Sequence, residues 1–165
     1  IILDRGAKDF GWHWFSVWGD PKKIAAWRAS ALTKAVVVDW SSLERRRIGQ
    51  VRPWVDHEIT TDVMPLELGL YDGVAQNKGC YPGQEVIERL ITQGAPPRRL
   101  VRVRAGADSG GGPEAAASSW SGDEGLALLR KNLAVPGQKL SISGRGGATV
   151  EACSPDAPFE ESSPL

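Results

Sequence analysis

Apolar and polar positions change period several times along this chain, and each change predicts an element. Residues 11 to 18, Gly-Trp-His-Trp-Phe-Ser-Val-Trp, alternate as a strand would, with Trp12, Trp14 and Trp18 on one side. Gly19-Asp20-Pro21 ends that run. Asp20 fits a helix N-cap with Pro21 at the first helical position, so Ile24, Ala25, Trp27 and Arg28 are expected to continue as a helix. A second helix is expected from about Ser41 to Ile48, capped by Ser41 or Ser42, with Arg45, Arg46 and Arg47 complementing its dipole near the end. Residues 50 to 58 read as irregular, and a short helical turn is expected to begin near Pro65.

The strongest periodicity follows. Val86, Ile87, Leu90 and Ile91 recur at helical spacing, with Glu85, Glu88 and Arg89 on the other face, and Glu85 can pair with Arg89 across one turn. Pro82-Gly83, just before, suits the two central positions of a type II turn. Pro96-Pro97 stops the helix and marks a boundary. Beyond it, Leu100 to Arg104 alternates as a strand with Val101 and Val103 facing in and Arg102 and Arg104 facing out. The Gly, Ala and Ser content of residues 105 to 123 predicts a flexible loop. Two further strands are expected, Gly125 to Arg130 and Lys139 to Ser143, joined through Pro136-Gly137. From Ser154 onward the chain is acidic and Pro-containing, the composition of a disordered tail.

Composition narrows the function classes. Among 165 residues, twenty basic and twenty acidic side chains cancel, so no overall field draws the chain to nucleic acid or to an anionic membrane. No apolar run approaches a membrane span, and the opening residues lack the pattern of a signal peptide. Two cysteines are too few for a disulfide framework, which points to a reducing compartment. One of them, Cys153, is read as sitting in a Pro-rich acidic tail.

Candidate chemistry concentrates at Lys78-Gly79-Cys80-Tyr81-Pro82-Gly83-Gln84-Glu85. A lone cysteine is most often a small buried hydrophobe. Here Lys78 stands two residues away and a helix N-terminus follows, and both stabilise a thiolate. Elsewhere the signals are weaker. His13, His57, Cys80 and Cys153 are too scattered for metal-ligand spacing, so no metal site is expected. Asp56-His57-Glu58 reads as a solvated loop. The tryptophan-rich strand could stack a pterin or a nucleobase, although core packing is the simpler reading. Arg45 to Arg47 with Arg98, Arg99, Arg102 and Arg104 could form a basic patch for an RNA backbone or a polyglutamyl tail. Helix termini and an exposed strand face explain the same arginines more cheaply.

The Cys80 octapeptide resembles the signature of the YgfZ-type folate-binding proteins, relatives of the glycine-cleavage T-protein, an aminomethyltransferase. Arg47-Ile48 through Pro53, Ile59-Thr60, Asp62 and Met64 through Leu70 follow in that family's order. So do Arg98 through Val101 and Leu126 through Lys131 with Pro136-Gly137. The resemblance implies an α+β fold: residues 1–97 as the second half of a T-protein-like folate-binding domain, 98–153 as a reduced, small β-barrel-like part, and 154–165 as the tail. Family members are roughly twice this length, so the chain is expected to be a fragment or to have lost half of a folate pocket.

In function, the resemblance implies a cytoplasmic or mitochondrial-matrix accessory factor. It would bind tetrahydrofolate and assist assembly or repair of iron-sulfur enzymes, including those that modify tRNA. Cys80 would be the functional thiol and Lys78 its activating cation. Gly79, Tyr81 and Gly83 would form the loop, and Gln84, Glu85 and Arg89 would fix it. Such a factor would contact iron-sulfur proteins, with no membrane and no direct nucleic-acid contact expected. A single thiol cannot hold a cluster that needs four ligands, so partner ligands or transient chemistry are implied. The rival expectation is a tetrahydrofolate-dependent aminomethyltransferase. Gly49 stands where the T-protein carries the carboxylate that holds the pterin, and glycine has no such group.

Overall fold

The computed structural model describes residues 2–5, 14–75, 78–92, 94–106 and 111–155. Contacts divide the chain into two units, Ile1–Leu43 and Glu44–Leu165. Pro96-Pro97 thus falls inside the second.

In the first unit, β1 (Ile2–Arg5) pairs antiparallel with β2 (Trp14–Val17). Trp12 and His13 lie outside the described residues, and Trp18 follows the strand with 65% of its surface exposed, contrary to a core role for that ring. Helix α1 (Pro21–Ala31) starts as expected: the Asp20 carboxylate accepts from the Lys22 and Lys23 amides at 2.9 and 3.2 Å. Helix α2 (Trp40–Gly49) starts earlier than Ser41 or Ser42 would dictate. Its cap is Asp39, which accepts from the Ser42 amide at 2.9 Å and the Ser41 hydroxyl at 2.8 Å. The Ser42 and Ser41 donors hold the Asp39 carboxyl down at about 2. A carboxylate outcompetes a hydroxyl for the orphan amides of a first turn, and so the serines serve the cap instead of being it.

The second unit is organised by a curled, mixed six-stranded sheet that forms a half-barrel. Its strands are β3 (Arg98–Ala105), β4 (Glu114–Ala115), β5 (Ala117–Ser121), β6 (Glu124–Arg130), β7 (Lys139–Ile142) and β8 (Gly146–Cys153), in the spatial order β4-β7-β8-β3-β6-β5. Only β4 against β7 is parallel. The alternation in β3 is as read, with Val101 and Val103 fully buried. They pack with Ala127, Leu129, Leu140, Ile142 and Val150 on one face of the sheet. Leu100 is fully buried on the opposite face with Leu126, under Ile48, Val51 and Leu68. Arg102 and Arg104 share that second face farther along, where its cover ends.

Three expectations about this unit are corrected. The stretch read as a flexible loop contains β4 and β5, and Ser119 of β5 is 93% buried by hydrogen bonding rather than by hydrophobicity. Cys153 does not sit in a tail. It closes β8 opposite Val101, and its thiol donates to the Ala134 carbonyl at 3.2 Å. Ser154 is buried, with its amide on the Leu100 carbonyl at 2.8 Å and its own carbonyl bound by the Arg99 guanidinium. Residues 156–165, the rest of the expected tail, lie outside the described residues.

Before the sheet, a tight helical turn occupies Pro65–Leu68, as expected, and a second one Tyr71–Gly73. Helix α3 (Gln84–Thr92) links them to β3.

Candidate functional site

The Cys80 loop takes its shape from one turn. The Gln84 amide donates to the Tyr81 carbonyl at 3.2 Å, and Gly83 sits at φ 84°, the left-handed position that a type II turn assigns to its third residue. A side chain at Gly83 would meet no neighbour, so it is the backbone angle and not space that demands glycine there. The turn leaves Cys80 exposed, ahead of the first turn of α3.

The Lys78 ammonium engages the aromatic ring next to the cysteine. It lies 4.5 Å from the centroid of the Tyr81 ring, a cation–π contact that directs the charge onto the ring face. The Tyr81 hydroxyl is enclosed and has no hydrogen-bond partner among the described residues. Glu85 and Arg89 do pair, at 3.0 Å, but with 85% and 62% of their side chains exposed the pair is screened by water. Gln84 opens α3, half-buried. No residue of α3 is fully buried: Val86 is 48% exposed, and Leu90 and Ile91 line a cavity of about 240 Å³ shared with Leu66, Tyr71 and Pro96.

A second polar cluster went unread in the sequence. Arg47, 97% buried, uses all five of its N–H donors: on Glu44 at 2.8 and 2.5 Å, on the Arg52 carbonyl at 2.9 Å, on Glu58 at 2.9 Å and on the Ser119 hydroxyl at 2.5 Å. Glu58 is equally saturated, accepting from Ser118 at 2.6 Å, Ser119 at 2.5 Å, Arg47, and the Trp54 amide at 3.0 Å. It is therefore no part of a solvated loop. Two consecutive serines reach one carboxylate because β5 bulges against β6 there: Ala117 faces Ala127 and Ser119 faces Leu126, with Ser118 as the extra residue. His57 Nδ1 lies 3.2 Å from the Ser119 hydroxyl, whose proton is committed to Glu58. Glu58 has no lone pair left for base catalysis and the two serines no free hydroxyl proton, so these groups hold α2, the following loop and β5 together.

Carboxylates also engage three more arginines of the supposed basic patch. Arg98 makes two 2.7 Å bonds to the buried Glu67, which raises the Arg98 pKa, and Glu67 also accepts the Met64 amide at 3.1 Å. Arg102 bonds the Gly49 carbonyl at 2.7 Å and pairs with Glu151 at 3.2 Å. Arg104 gathers Asp123 and Glu124 at 2.7 and 2.6 Å, together with Glu151. Glu151 is the extra residue of a bulge in β8, since Arg102 faces Ala152 while Val103 faces Val150. Each of these guanidiniums is neutralised where it stands, and Arg47 is buried away from Arg45 and Arg46. No cluster of three or more His, Cys, Asp or Glu side chains suited to a metal occurs among the described residues.

Comparison with known proteins adds one relationship. Over 133 residues the chain is 28% identical to a chloroplastic protein of Arabidopsis thaliana whose name places it provisionally among the transferases. The match covers 72% of this chain and 31% of that protein, so the chain spans about a third of the relative's length. The similarity fits a transferase-like family. No family model matches the chain. No helix among the described residues is long and apolar enough to cross a membrane.

Proposed function

We propose that this chain belongs to an accessory protein of the YgfZ type, in which the Cys80 thiol takes part in assembly or repair of iron-sulfur clusters on partner enzymes. The observation that carries the reading is the contrast between the two thiols. Cys80 is exposed on a turn imposed by Pro82-Gly83, while Cys153 is half-buried and hydrogen-bonded to a carbonyl. An exposed single thiol suits a transient ligand or sulfur carrier, with the remaining ligands supplied by the partner.

Folate enters this proposal with less support from the residues. Gly49 offers only a carbonyl, and Arg102 occupies it; Glu67 has both oxygens engaged by Arg98 and Met64. Neither can hold a pterin by a free carboxylate, so no step is routed through tetrahydrofolate. The second reading, a folate-dependent aminomethyltransferase, is favoured by the relative's name alone.

Reconstitution of an apo iron-sulfur enzyme with iron, sulfide and a thiol reductant separates the readings. The accessory reading expects the chain to accelerate recovery, with the gain lost in Cys80→Ser and kept in Cys153→Ser. Equal acceleration by Cys80→Ser contradicts it. Quenching of tryptophan emission on titration with tetrahydrofolate, together with one-carbon transfer that survives Cys80→Ser, is the outcome expected of the transferase.

A further inference from the structure

The arginines of β3 each have an acceptor, but among the described residues the cations at the end of its neighbour β6 do not. Arg98 is clamped by Glu67 and the Asp62 carbonyl, Arg99 binds the Ser154 carbonyl, and Arg102 and Arg104 share Asp123, Glu124 and Glu151. Across the sheet, Arg98 faces Arg130, and Lys131 follows in the turn that leaves β6. Both Arg130 and Lys131 are exposed, and among the described residues neither has a carboxylate or carbonyl bound to its side chain. Both cations line one hollow without a counter-charge of their own. In a sheet that otherwise answers its arginines with acceptors, such a pair calls for an anion from outside.

The surface there is concave. Pro97, Arg98, Arg130, Lys131 and Asn132 line an open hollow of about 710 Å³. Its floor is rigid. The Lys131 amide donates to the Pro97 carbonyl at 2.9 Å, and the Leu133 and Ala134 amides close onto the Arg130 carbonyl at 2.8 and 3.0 Å. The turn that presents the two cations is therefore fixed by backbone bonds. Arg98, already neutralised by Glu67, supplies a wall without adding net charge, and Asn132 adds a neutral amide that can donate.

We infer that the hollow bounded by Pro97, Arg98, Arg130, Lys131 and Asn132 is a binding site for a small oxyanion ligand, its phosphate or carboxylate group held between the Arg130 guanidinium and the Lys131 ammonium. Planar guanidinium and point-like ammonium are the pair of donors that such groups accept, the first as a fork and the second as a single charge. At about 710 Å³ the hollow is larger than a phosphate or carboxylate group, which leaves room for an uncharged body attached to it. The inference does not depend on the chemistry assigned to Cys80.

The test uses the whole chain at constant ionic strength, because screening alone weakens any exposed charge contact. Inorganic phosphate and succinate are titrated separately while the amide resonances of Lys131, Asn132 and Leu133 are followed, with neutral succinamide as a control. Saturable shifts at these amides with one or both anions and none with succinamide are expected, the tighter of the two anions identifying the group. Arg130→Gln with Lys131→Gln should weaken binding by about ten-fold or more, the loss of two charge-assisted contacts. Arg45→Gln, an exposed cation on α2, should leave it unchanged, and amide spectra outside the turn verify that each variant is folded. Three results overturn the inference: no saturable shift with either anion, equal affinity in the double variant, or an equal loss with Arg45→Gln.

Discussion

The half-barrel sheet and the Cys80–α3 segment are adjacent in sequence and opposite in construction. In the sheet, both faces of β3 and β6 are covered at Leu100 and Leu126, and the buried charges Arg47 and Glu58 meet complete sets of partners. In the Cys80 segment, a strongly amphipathic helix buries no residue completely, its one ion pair is exposed, and its cysteine faces solvent. Stability is thus concentrated in the first region and chemical accessibility in the second. A reactive thiol needs reach by a partner, which a fully packed segment would deny it.

Mutations should expose this division in order of size. Arg47→Ala leaves Glu58 buried without its counter-charge, and a loss of about 3–5 kcal/mol is expected in urea unfolding. The exposed pair gives the contrast: Arg89→Ala should cost no more than about 0.5 kcal/mol in the same assay. Leu126→Ala opens a cavity between the sheet and the Ile48–Leu68 layer and should cost about 2–5 kcal/mol, whereas Val86→Ala on α3 should stay within about 0.5 kcal/mol. If Arg89 or Val86 proved as costly as Arg47 or Leu126, the two regions would not differ as described.

Gly83→Ala sharpens the comparison inside the weaker region. At φ 84° an alanine is strained by about 1 kcal/mol. Because the turn stands apart from the sheet core, faster amide exchange is expected across α3 with little change at β3 and β6.

The smallest effect is a pH dependence of the sheet's exposed face. Arg104 hydrogen bonds hold the Glu151 and Asp123 carboxyls below their ordinary values of 4.5 and 3.8. A depressed carboxylate stabilises the fold fully above its unfolded pKa, and the contribution is lost as pH falls through the folded value. Unfolding midpoints should therefore drop below about pH 4.5, and Arg104→Gln should flatten that slope.

What the sequence disclosed follows the same line between local and distant causes. Asp20-Pro21, the turn at Pro65, Pro82-Gly83 with α3, and the alternation of β3 all rest on neighbours within a few residues, and each is found where expected. Elements held by distant partners were not readable. Ser118 and Ser119 look like loop residues until Glu58, some sixty positions earlier, is placed beside them. Strand β8 begins at Gly146 with φ 87°, which reads as a loop, and ends at Cys153, whose place is decided by pairing with β3. In the candidate site, the exposure of Cys80 and the Glu85–Arg89 pair were legible from spacing. The seat of the Lys78 ammonium on Tyr81 was not, because a side-chain choice between two neighbours leaves no mark in a periodic pattern.

The central claim is that folding leaves Cys80 available for thiol chemistry while withdrawing Cys153 from it. Its most direct test is the rate of alkylation by iodoacetamide at pH 7, read cysteine by cysteine by mass spectrometry in the folded chain and again in the chain unfolded in urea. The account predicts that folding protects Cys153 strongly and that Cys80 reacts at least as fast folded as unfolded. Slower reaction of Cys80 in the folded chain, or equal protection of the two thiols, would contradict it.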